Sequence, residues 1–264
     1  MKKALGIILF ITASCSVPDQ NISIVEKKLD HSFQKIQYWH DAVSNKNPSA
    51  YDSLYAANRK FEKLLHYYTA SNPESLRYNF KSLRKNGLFI SSSEDGKFRI
   101  YSWDTQTGGT MRFYRNVFQY ESNKKVYSEI SESDMEQDPE SMYYKINDLP
   151  SQNKKYYLVQ NTTIYSNALS YHTLKVFSIE NEKLNSNTQL IKTPAGIKNE
   201  LDFELDFTAS PNRIHPVSLK TFDNLKIQYN PKEKIISIPL ILDDSKITDE
   251  RVRYQFKGKY FEKI

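Results

Sequence analysis

Residues able to do chemistry are scattered along this chain rather than gathered. The densest set is Glu200, Asp202, Glu204 and Asp206, four acids alternating with Leu201, Phe203, Leu205 and Phe207. Alternate residues of a strand share a face, so the pattern predicts a strand with one apolar face and one carboxylate ladder. Successive carboxylates on such a face stand roughly 6.6 Å apart along the strand, whereas a calcium ion draws oxygens to about 2.4 Å from one point. The ladder therefore reads as a solvated face, with Arg251, Arg253 and Lys257 as the basic strand expected beside it. His31, His40, His66, His172 and His215 include no pair at the spacing of a helical metal site, and one cysteine, Cys15, cannot build structural zinc. No metal and no cofactor are expected. A nucleophile elbow of the G-x-S-x-G type, a P-loop and a dinucleotide fingerprint are all missing from the sequence.

A second candidate is the run from Trp103 to Thr110, read either as a ligand loop or as a structural connection between two strands. In the structural reading, which is preferred, Asp104 and Thr107 hydrogen-bond the turn backbone, Gly108 and Gly109 supply positive φ, and Trp103 packs one end. That reading makes Gly109→Val harmful to folding. The stretch Asp104-Thr105-Gln106-Thr107 resembles the Asp-Thr-Gly-Thr loop of aspartic proteases, whose paired carboxylates share a proton and activate a water. Gln106 replaces the glycine and the chain holds no second copy, so a protease would need a homodimer to supply the twin acid. Ser102-Trp103-Asp104 also resembles the end of a WD blade, but no second Trp-Asp occurs. Tyr101, Trp103, Tyr114, Tyr143, Tyr144, Tyr156, Tyr157 and Tyr171 are candidates for stacking on sugar rings, with strand formation as the plainer account.

The N-terminus carries Lys2 and Lys3, an apolar run from Ala4 to Ile11, and the small residues Thr12, Ala13 and Ser14 before Cys15. A charged, then apolar, then small-residue order is that of an export signal, and the uncharged stretch is too short to remain as a bilayer span. It resembles bacterial lipoprotein signals, although Thr12 stands where leucine is usual. That resemblance implies cleavage before Cys15, acylation of the cysteine with palmitate-type chains, and retention in the cell envelope, with the outer membrane as the expected site. With no second thiol, no disulfide can form.

The chain carries 37 Lys and Arg against 31 Asp and Glu, a net charge of +6 that suits anionic lipid headgroups or polysaccharide as a contact. An envelope protein is a further candidate partner. No nucleic-acid motif is present and no nucleic-acid partner is expected.

The elements that must position these residues divide at Gly87. Val25, Leu29, Phe33, Ile36 and Val43 fall at helical spacing, as do Leu54, Phe61, Leu65 and Tyr68. Asn72, Pro73 and Glu74 then read as a cap, a first-turn proline and a first-turn acid, opening a third helix with Leu76, Phe80 and Leu83 inward and ending at Gly87. Beyond Gly87 the period is two, with strands expected at 88–92, 97–103, 110–120, 125–130, 155–160, 171–180, 184–192, 200–207, 225–229, 234–242, 252–256 and 259–261. The segment from Gly87 to Ile130, centred on DGKFRIYSWDTQTGGT, is similar to a group of uncharacterised lipoproteins and secreted proteins of the Bacteroidota. That resemblance implies a compartment and no activity.

The sequence thus predicts an α+β protein: signal peptide 1–15, tether 16–23, helical layer 24–87, and an antiparallel β-meander of about a dozen strands over 88–264, closing as a barrel, sandwich or propeller-like array. The expected role is a non-catalytic envelope lipoprotein binding a partner or ligand, with an envelope hydrolase acting on glycan or peptide as the alternative.

Overall fold

A computed structural model describes residues 21–45, 47, 49–131, 139–151, 154–214 and 225–264. The signal at 1–15 with Cys15, most of the tether and His215 lie outside these residues. Helix α1 (Ile22–Ser44) starts two residues earlier than the expected tether allows, because the Asn21 side chain accepts the Ser23 N–H at 2.9 Å and caps it. Helix α2 (Ala50–Ser71) runs back along it. The inward stripes are the expected ones, with Val25, Leu29, Phe33 and Ile36 facing Leu54, Phe61 and Leu65.

The third helix does not form as one piece. Asn72 caps a 3₁₀ turn at Pro73–Leu76, Phe80 takes a left-handed φ of 47°, and only α3 (Lys81–Lys85) resumes the helix. The cause lies in the sheet beneath. Arg99 donates to the carbonyls of Ser75 at 2.7 Å and Tyr78 at 2.6 Å, and the Tyr101 hydroxyl donates to Ser75 at 3.0 Å. Buried side chains thus hold the carbonyls that a continuous helix would use itself. Glu26 from α1 accepts the Ser82 N–H at 2.8 Å and so satisfies the start of α3.

Fifteen strands follow among the described residues. The first sheet holds β1 (Phe89–Ser92), β2 (Phe98–Asp104), β3 (Tyr114–Ser122) and β4 (Lys125–Ile130), in that order. Next come β5 (Met142–Pro150), β6 (Lys155–Ile164), β7 (Leu169–Glu180) and β8 (Lys183–Asn185). The chain ends with β9 (Ile191–Thr193), β10 (Gly196–Lys198), β11 (Glu200–Asp206), a short helix α4 (Ser210–Ile214), β12 (Gln228–Asn230), β13 (Ile235–Ile241), β14 (Ile247–Phe256) and β15 (Phe261–Lys263). The second sheet has the order β11-β7-β6-β5, with β8 also on β7, and the third β10-β9-β15-β14-β13-β12. Pairing is antiparallel except between β15 and β9.

The fold is α+β with no closed barrel; helices and three sheets stack as successive layers. Trp103, Tyr101 and Val117 face the helices, while Phe98, Ile100 and Tyr120 on alternate positions meet Tyr157, Val159 and Phe177 of the second sheet. Leu158, Leu174, Val176 and Leu201 cover the other face of that sheet against Ile236, Tyr254 and Phe261 of the third. Covered on both faces, β6 is buried without interruption from Tyr157 to Thr163. The sequence reading misses β5 and β10, and it fuses β8 and β9 into one strand. A register shift between Tyr143 and Lys145 explains the loss of β5, since one extra residue breaks the period of two.

Candidate functional site

The Asp104 loop is built as a connection, with details that differ from the sequence reading. Asp104 accepts the Gln106 N–H at 2.8 Å through one oxygen and meets Arg112 at 3.3 Å through the other. Burial raises its pKa, opposed by the Gln106 N–H and the charges of Arg112 and His40. Thr107 bonds the Thr105 hydroxyl at 2.7 Å, and Thr105 in turn reaches the Phe113 carbonyl at 3.0 Å. Positive φ occurs at Gln106, 61°, and not at Gly108 or Gly109. Gly108 is needed for closeness instead: a Cβ there would lie 2.2 Å from the Met111 carbonyl oxygen. A Cβ on Gly109 would meet nothing within 4 Å, so Gly109 is the freer position of the two, contrary to expectation. Trp103 is fully buried against Phe61, with its indole N–H donating to Asn58 at 3.0 Å. Trp103 and Tyr101, both fully buried, offer no face to a sugar. A cavity of about 190 Å³ between this loop and α1 holds Asp104 as its one acid among the described residues.

The ladder also keeps different company from that expected. Strand β11 pairs with β7, not with the strand of Arg251 and Arg253. Asp202 accepts a bond from the Tyr171 hydroxyl, Glu200 lies 4.0 Å from Lys175, and Asp206 accepts the Thr208 N–H at 2.7 Å. Arg251 stays within the third sheet, bonded to Ser237 at 2.7 Å. Among the described residues no group of three or more metal-ligating side chains comes together. No described helix is long and apolar enough to cross a membrane.

A larger opening lies between the first two sheets, on the side of β4 and β8. It measures about 580 Å³, within the range of small-molecule sites. Its floor is three rings: Phe118 from β3, Tyr143 from β5 and Phe177 from β7. Phe118 and Phe177 stack at 6.1 Å and 27°, and Tyr143 stands edge-on to Phe118 at 5.4 Å. Glu129 from β4 and Lys175 from β7 form the charged walls, with Ser131 and Ser186 at the rim. Burial, then the charges of Glu140 and Glu200, raise the pKa of Tyr143, so its phenol stays protonated as a donor at neutral pH. That hydroxyl meets no hydrogen-bond partner among the described residues.

Comparison with family models, with curated proteins and with solved structures finds no match for this chain.

The cleft is supported from behind. Arg115, buried on the helix side of β3, meets Glu62 of α2 at 2.7 Å and Glu140 at 3.3 Å, and donates to the Ser131 carbonyl at 3.2 Å. Glu140 also accepts from Asn116 at 2.6 Å, and Asn116 accepts from Ser102 at 2.6 Å. The helices, β3 and the cleft rim are thereby tied through one polar network. Only Tyr143 of the cleft residues stands among the aromatic candidates of the sequence; Phe118, Glu129, Lys175 and Phe177 carry no local signal.

Proposed function

We propose that this chain is a lipid-anchored cell-envelope protein that binds a small amphiphile in the cleft between its first two sheets. The observation that carries this reading is the cleft itself. A ring floor takes an apolar or sugar face, Lys175 takes an anionic group, and the Tyr143 hydroxyl and Glu129 carboxylate fix orientation. Glu129 is its one acid among the described residues, so the arrangement supports binding rather than paired-carboxylate hydrolysis. The anchoring half of the reading rests on the residues before Cys15.

An anionic aromatic probe, anilinonaphthalene sulfonate, fits the cleft's chemistry. Saturable fluorescence enhancement at one site is expected, weakened about tenfold or more in Phe118→Ala, with the fold checked by near-ultraviolet circular dichroism. Enhancement unaffected by that change would remove the cleft from the proposal. For the anchor, Cys15→Ser is expected to make the chain extractable from the membrane fraction by high salt, because no described helix can cross a bilayer. A mature N-terminus other than an acylated Cys15 in mass spectrometry would remove the anchor.

A further inference from the structure

The outward face of the α1–α2 hairpin takes no part in the core and sorts its charges by sign. Most acids of the two helices are bonded: Glu26 bonds Tyr78 and Ser82, Glu62 bonds Arg115, Asp30 bonds Gln34 and Asn86, and Asp41 bonds Gln37, while Asp52 in the first turn of α2 is exposed. The bases of this face stay out. A groove between the helices is lined by Lys28, His31, Lys35 and Lys60 and continues over Arg59 and Lys63, as two adjoining hollows of about 290 and 480 Å³. Neither is lined by a described carboxylate. Lys35, Arg59, Lys60 and Lys63 form no ion pair among the described residues. Ser32 lies in the groove, 5 % exposed, with its hydroxyl enclosed and lacking a hydrogen-bond partner. Leu64 and the exposed Tyr67 set apolar surface among the bases.

We infer that this face lies against an anionic phospholipid surface, its bases on headgroup phosphates and Tyr67 at the interface. The choice of a membrane over a soluble anion rests on the anchored reading above. Only residues 16–21 separate Cys15 from α1, a reach on the order of 25 Å when extended. A lipid on Cys15 therefore keeps the N-terminal end of the hairpin within reach of the bilayer. An interface of clustered bases with an aromatic among them suits a headgroup layer, where charge and partial apolar insertion act together.

The test uses the chain from residue 16, which keeps every described residue and lacks the apolar run that would bind vesicles by itself. Sedimentation is compared with vesicles of phosphatidylcholine alone and of an equal mixture with phosphatidylglycerol. The expected result is binding to the mixed vesicles, weakened on the order of 100-fold by the combined Lys35→Glu, Arg59→Glu, Lys60→Glu and Lys63→Glu changes. All four positions are exposed, and an unchanged melting temperature shows that the fold persists. Binding that ignores phosphatidylglycerol, or that survives the four reversals, overturns the inference. Retention on soluble dextran sulfate without vesicle binding assigns the face to polysaccharide and overturns it too. Vesicle binding of the expected kind, together with an unacylated Cys15 in cells, would leave the docking face standing and sink the anchor alone.

Discussion

The two sides of the sandwich formed by the first two sheets are finished in opposite ways. On the side of β1 and β5, the turn before β2 is clasped to the second sheet. Lys155 lies 2.7 Å from both Asp95 and Asp148, and Asp148 accepts the N–H groups of Glu94 and Asp95 at 3.0 and 3.1 Å. On the side of β4 and β8, Glu129 and Lys175 flank open space, and the nearest carboxylate partner of Lys175, Glu200, is 4.0 Å away. Similar aromatic rows face inward on both sides. The difference lies in how the charges are used. On one side Lys155 pairs with acids on two segments and ties the sheets together beside a hollow of about 360 Å³. On the other Lys175 is loosely paired, Glu129 is held within its own sheet by the Tyr120 hydroxyl, and the half-buried rings of Phe118 and Tyr143 line a larger opening.

The largest effect is expected where the open side gains its rigidity. Arg115→Met removes the cation between Glu62 and Glu140, whose side chains are only 12 % and 10 % exposed, and strands both carboxylates. Losing one partner of a buried pair costs about 3–5 kcal/mol. Chemical denaturation should show a loss of that order, with cleft binding lost at the same time because Ser131 is freed. A loss below about 1 kcal/mol would mean that the rim is held by something else.

Lys155→Met should break the clasped side at a smaller cost, about 1–2 kcal/mol, since the lysine side chain is 36 % exposed and screened by solvent. The pH dependence has a definite sign. Burial pushes the Asp95 carboxyl up, but bonds from Lys155, Ser93 and the Lys97 N–H outweigh it and hold the pKa below its ordinary 3.8. Burial likewise pushes Lys155 down, outweighed by Asp148 and Asp95, so its pKa stands above 10.5. The depressed acid stabilises the fold above pH 3.8 and loses that contribution as pH falls through its folded value. The raised base stabilises it below pH 10.5 and loses that contribution as pH rises through its folded value. In Lys155→Met both losses should shrink: the alkaline limb because the raised base is gone, and the acid limb because Asp95 loses the strongest group opposing its burial and its folded pKa moves up. Melting curves across pH check both limbs.

The sequence discloses the packed helices and the amphipathic strand of this molecule better than either side of the sandwich, for physical reasons. Val25, Leu29, Phe33 and Ile36 announce a helix because one face meets one core, and Glu200 to Phe207 announces a strand because its other face is wet. The helix expected from Asn72 to Gly87 fails because Arg99 and Tyr101, distant in sequence, hold its carbonyls. The basic partner expected for the ladder fails because strand neighbours are chosen by topology, and β7 lies beside β11. The cleft draws single residues from separate strands, each with an ordinary local pattern, and its Tyr143 sits at a register shift that hides β5 altogether. The clasped side is no more legible, because Asp148 lies on the same hidden β5 and meets Asp95 and Lys155 only when the strands are assembled.

The smallest effect on stability should separate the two sides most cleanly. Lys175→Met makes the same chemical change as Lys155→Met on the same sheet, yet Lys175 has one loose partner and lies at the mouth of the cleft. A distant, partly exposed pair contributes about 0–1 kcal/mol, and the methionine chain can still cover Phe177, so the melting temperature should move little. Binding should respond differently. If Lys175 neutralises the anionic end of the ligand, its loss removes a charge-assisted hydrogen bond, expected to weaken anilinonaphthalene sulfonate about tenfold or more, while Lys155→Met leaves the probe's affinity near that of the unmodified chain. Lys175→Arg should retain most of the affinity, which a merely structural lysine would not require. Equal probe affinity in Lys175→Met and the unmodified chain, or a stability loss matching that of Lys155→Met, would show that the two sides are built alike and that the cleft is only a gap in packing.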